Sequence, residues 1–144
     1  AVAAAVGLSK GAVYAHVPAK FDLLLAVIDE ALGEADRRIR LAADALRGGA
    51  DSTTAAATYF RGAATDIHAG LMAEAWRLAA TEPAVLDRVQ HHRDQRLAVL
   101  AAGAVDGGAS PAAALEQARL VARLIDADIV ERRLTAGVVG QITA

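Results

Sequence analysis

The 144-residue chain has no cysteine, a single methionine and a single tryptophan, and only 3% of its residues are aromatic. Without cysteine there can be neither a disulfide framework nor a thiolate metal site. Long apolar runs are missing too. Stretches such as Leu23 to Ile28 meet charge long before the ~20 residues a membrane span needs. No charged leader followed by an apolar core opens the sequence, so the expectation is a cytoplasmic protein without a membrane segment. A strong charge of one sign is also absent. The net charge of −2 excludes bulk basic attraction to nucleic acid but leaves room for a local patch. With 55% hydrophobic residues, the chain cannot be a solvated coil. Roughly a quarter of it is alanine, the best helix former, while β-branched and aromatic residues are thin. Hairpin signals, repeats and low-complexity linkers are missing. The expected class is all-α.

Punctuation divides the chain into helices. Ala1 to Val6 is a short apolar run closed by Gly7. Ser9 caps a second short helix, Lys10 to Val17, which Pro18 is expected to stop. Two short helices joined by a tight turn make a helix-turn-helix pattern. A long helix follows over about Lys20 to Arg47, with Leu24, Val27, Ile28, Ala31, Ala35, Ile39, Ala42 and Leu46 on its apolar stripe. Gly48-Gly49 ends it. Asp51 or Ser52 caps the next helix, expected to reach His68 with Phe60, Ala64, Ile67 and Leu71 facing inward. A break at Ala69-Gly70 and a short helix to Ala80 come next. Pro83 starts a helix to about Ala104, with Leu86, Val89, Leu97 and Leu100 inward. Ser110-Pro111 starts the last long helix, to about Leu134.

The segment from Val2 to Lys20 carries the most information. Its Val2-Ala3 pair, the Gly7-Leu8-Ser9 turn, Gly11, Tyr14, His16, and Lys20 leading into Leu23-Leu24 resemble the DNA-binding segment of the TetR family of bacterial transcriptional regulators. The resemblance covers about the first 30 residues; beyond them the chain matches in helix lengths and order. Leu124-Ile125-Asp126-Ala127 is similar to a segment common in the family's dimer helix. Val17 stands where the family usually has phenylalanine, and Phe21 where an acidic residue is frequent. The family's first helix would precede Ala1.

The resemblance implies two domains. Residues 1–47 would form the helix-turn-helix DNA-binding domain with its long connecting helix, and residues 48–144 the ligand-binding and dimerisation domain. It implies a ligand-responsive regulator, a repressor, binding a palindromic double-stranded operator as a homodimer. Ser9, Lys10, Gly11 and Ala12 would lie at the recognition helix's N-terminus, with Tyr14, His16 and Lys20 on phosphates. In the first 20 residues the only charges are Lys10 and Lys20, a locally basic patch.

A largely apolar effector is expected in the second domain, near Tyr59, His68, Met72, Trp76, His92, Arg96 or Arg123, although Met72 and Trp76 equally suit core filling. Few aromatics argue against a cage for stacked or cationic ligands. Leu120, Val121, Leu124, Asp128 and Ile129 are the expected dimer contacts, because so apolar a helix needs more than one packing partner. The histidines lack metal-ligand spacing, and no triad, phosphate loop or nucleophile elbow is visible. Neither cofactor nor catalysis is expected. The pairs Arg37-Arg38 and Arg132-Arg133 read as solvated helix faces. The alternatives are a helical protein–protein adaptor or a helical-bundle enzyme without DNA binding.

Overall fold

The structure, a computed structural model, describes the backbone from Lys10 to Thr143 and side chains over residues 18–137. All regular elements among these residues are α-helices: α1 (Lys10–Arg47), α2 (Ser52–Tyr59), α3 (Thr65–Ala79), α4 (Pro83–Asp106) and α5 (Pro111–Thr143). None of them is long and apolar enough to cross a membrane. The short helix Ala1 to Val6, the Gly7 turn and the Ser9 cap lie outside the described residues.

α1 forms because helix-favouring residues place an apolar side chain every three or four positions. Ile28, Ala31, Leu32, Ala35, Ile39, Ala42, Ala43 and Leu46 are all buried. This stripe packs on α4, α4 packs on α5, and α2 fills the gap between α1 and α5. α3 completes the bundle against α4, α5 and α1. Where α1 meets the end of α4, backbones approach closely. A methyl on Gly103 would collide with the Ala43 carbonyl, and one on Gly107 with that of Leu46.

Most of the sequence punctuation holds. Asp51 caps α2 by accepting from the Thr54 N–H at 2.7 Å, and Ser110 Oγ accepts from Ala113 at the start of α5. Pro83 opens α4.

Four expectations are corrected. Pro18 does not stop a helix; α1 runs through it. Pro18 itself lacks one donor, but ending the helix there would leave four carbonyls without partners rather than one. The break expected at Ala69-Gly70 lies instead between Tyr59 and Thr65, where Gly62 has φ 98° and Ala64 has φ 60°. That shift rotates the following face, so Ile67 is 68% exposed and Leu71 39%, while His68, Met72 and Ala75 turn inward. Val27 and Leu86, expected inward, are also exposed, and Val85 takes the core position beside Leu86. Finally, α5 continues beyond Leu134 to Thr143.

Candidate functional site

Polar side chains cross-link the middle of the bundle. The Arg38 guanidinium, on α1 and 2% exposed, points at the end of α2 and the turn that follows it. Its Nη1 donates to the carbonyls of Tyr59 at 2.7 Å and Arg61 at 3.2 Å, and Nη2 donates to that of Ala63 at 3.4 Å. Its Nε donates to Glu34 at 2.8 Å. A cation thus meets the negative end of α2 and satisfies carbonyls with no helical partner. Arg38 is therefore not on a solvated face. Arg37, half-exposed beside it, binds Glu34 through two nitrogens, and these bonds hold the Glu34 carboxyl down at about 2. Arg132 is also engaged, pairing with Asp66 at 2.9 Å and lying over the Phe60 ring at 4.7 Å.

His68 and His92 are each only 4% exposed. Tyr59 Oη and His68 Nε2 are 2.7 Å apart. Burial, aided by the Arg38 charge, lowers the His68 pKa to about 4, so its ring is neutral. His68 Nδ1 is buried without a partner. His92 Nδ1 donates to Asp36 at 2.6 Å, joining α4 to α1. Burial holds His92 below its ordinary value although Asp36 pulls the other way. Arg96 clasps Asp126 through both terminal nitrogens at 2.7 Å, joining α4 to α5.

Beside this centre a groove of about 630 Å³ opens between α1 and α3, within the usual size of a small-molecule site. Val27, Ala31, Ile67 and Leu71 supply its apolar wall. His68 and Arg38 lie at its buried end, and Glu30, Glu34, Arg37 and Arg40 are spaced around it. Ala63 and Ala64, just ahead of α3, complete it.

Among the effector candidates, His68 alone lines this groove. Tyr59 touches His68 from the core, and Met72, 1% exposed, is core filling. Trp76 is half-buried against that core, with the Arg93 guanidinium 5.8 Å from its ring. His92 lines a smaller crevice between α1 and α4. The Asp126 carboxylate occupies Arg96, and Arg123 is exposed.

Of the dimer candidates, Val121 and Ile129 are buried in this chain's own core. Leu124 and Asp128 are half-buried, and Leu120 is 47% exposed. Of the DNA candidates, Lys10, Gly11, Ala12, Tyr14 and His16 lie on the α1 backbone, with side chains outside the described residues. Ser9 lies outside them altogether, and Lys20 is exposed on α1. No group of three or more metal-ligating side chains occurs among the described residues.

Sequence reasoning missed Arg38, Asp36 and the pairing of Arg96 with Asp126. All three depend on helices brought together only by the fold. Comparison with protein-family models, curated proteins and solved structures returned no match.

Proposed function

We propose that the chain belongs to a ligand-responsive transcriptional repressor of the TetR type, binding a palindromic operator as a homodimer. The observation that carries this reading is the residue string from Gly7 to Lys20, with its Gly-Leu-Ser triplet, small residues at 11 and 12, Tyr14, His16 and Lys20. α1 runs unbroken from Lys10 past Lys20 to the groove and to Arg38, without the stop at Pro18 that the resemblance implies between a recognition helix and the connecting helix. A ligand in the groove would touch the same helix that carries the DNA contacts. Such a ligand shifts DNA occupancy only as far as its affinities for the DNA-bound and free conformers differ.

Within this reading Lys20 neutralises a phosphate and reads no base. Binding of the full-length protein to palindromic and random duplexes across a salt series is the test. Lys20→Ala should weaken both duplexes alike and reduce the log–log salt slope by about one. A loss confined to the palindrome would contradict the phosphate role. Absence of salt-dependent DNA binding would overturn the regulator reading in favour of a protein-binding adaptor.

A further inference from the structure

The groove between α1 and α3 gathers features that packing alone does not call for. His68 lines it one turn into α3, with Nδ1 buried and unpartnered. The buried Tyr59 hydroxyl has no other acceptor among the described residues, so its hydrogen goes to His68 Nε2. The proton of the neutral ring then resides on Nδ1, a donor lacking an acceptor.

The start of the fifteen-residue α3 is also open. Ala64 precedes it in a left-handed conformation and makes no side-chain cap. The first N–H groups of α3 therefore present the positive end of its dipole without a capping oxygen. Asp66, in that first turn, pairs with Arg132 of α5. Around the groove Arg37, Arg38 and Arg40 face Glu30 and Glu34, an excess of one positive charge. One donor, one helix N-terminus and one surplus cation match a monoanion better than a dianion. Beyond them Val27, Ala31, Ile67 and Leu71 form a wall suited to an aliphatic chain.

We propose that this groove binds an aliphatic monocarboxylate, its head between the start of α3 and His68 and its tail along Val27, Ile67 and Leu71. The carboxylate gives His68 Nδ1 its missing acceptor, and the tail covers side chains left in water. Only the consequence for DNA rests on the regulator reading; binding itself does not.

Calorimetric titration of the protein with decanoate, 1-decanol and acetate, without DNA, tests the site. Decanoate is expected to bind at least about tenfold more tightly than decanol, with acetate silent. In ¹⁵N-histidine spectra the His68 Nδ1 resonance should move on adding decanoate. Ile67→Glu, at an exposed position that leaves the fold intact, should weaken decanoate about tenfold or more through charge repulsion and lost tail contact. Equal affinity for decanol and decanoate would overturn the proposal. So would a stationary His68 resonance, or decanoate binding that Ile67→Glu leaves unchanged. Failure here leaves DNA binding standing, and failure to bind DNA leaves this site standing.

Discussion

Arg38 is the side chain on which the middle of the chain most depends. It is fully buried, yet it makes no buried ion pair of the costly kind, because its charge is shared among three carbonyls and the half-exposed Glu34. Removing it would leave buried carbonyls unpaired. Arg38→Ala should therefore lower stability by about 3 kcal/mol, read from urea unfolding. Arg38→Lys should recover little of it, since an ammonium cannot span the same fork of acceptors. A loss below about 1 kcal/mol would contradict this role.

The two buried histidines set the acid limit. His68 titrates near 4 when folded against 6.5 when free, and His92 is also held down. Because the folded values are the lower ones, the unfolded chain takes up these protons first. Their contribution is intact above 6.5 and is lost as pH falls from there towards about 4. The slope approaches ~1.4 kcal/mol per pH unit for each histidine that titrates only when unfolded. Glu34 adds to the loss only below its ordinary value of 4.5. Urea midpoints at pH 7, 6 and 5 measure the effect, and a level profile would refute it. Ala64 is strained in the opposite sense. With φ at 60° its side chain crowds the following carbonyl, so Ala64→Gly should raise stability by about 0.5–1 kcal/mol.

At the scale of elements, close helix packing is the constraint. Gly103 lets α4 rest directly on the α1 backbone at Ala43. A backbone carbonyl cannot step aside as a flexible side chain would, so Gly103→Ala should cost about 1–3 kcal/mol. An unchanged melting midpoint would show that α4 shifts freely. The same elements explain what could be read in advance. The starts of α2, α4 and α5 are encoded locally, by Asp51, Pro83 and Ser110-Pro111, and were legible. The end of α2 is held by Arg38, a residue 21 positions away from Tyr59, and no local signal marks it. A break at Ala69-Gly70 implies a different inward face for α3, one that puts Ile67 and Leu71 in the core instead of on the groove. The centre was illegible for a similar reason. His92 meets Asp36 across 56 positions, and Arg96 meets Asp126 across 30, separations that no helical period predicts.

For the molecule as a whole, α5 leaves Leu120, Val130 and Leu134 in water at 47%, 47% and 66% exposure. Under the regulator reading these cover one another across a two-fold axis. Leu120→Glu should then convert dimer to monomer in light scattering while leaving helical content unchanged. A monomer before any substitution would remove this interface.

The unbroken α1 has a mechanical consequence. Between Lys20 and Arg38 it is a rod of about 27 Å, at 1.5 Å per residue. Its groove end is clamped by Arg38, while Lys20 lies far out along the same axis. A tilt of about 7° at the clamp would carry Lys20 through ~3 Å, close to the ~3.4 Å of DNA helix axis per phosphate of one strand. A hinge at residue 18 or 19 could not absorb that movement, because it lies beyond Lys20. Under the regulator reading α1 is thus geared: a displacement at the groove too small to disturb the core would become a shift of about 3 Å at the DNA-facing end.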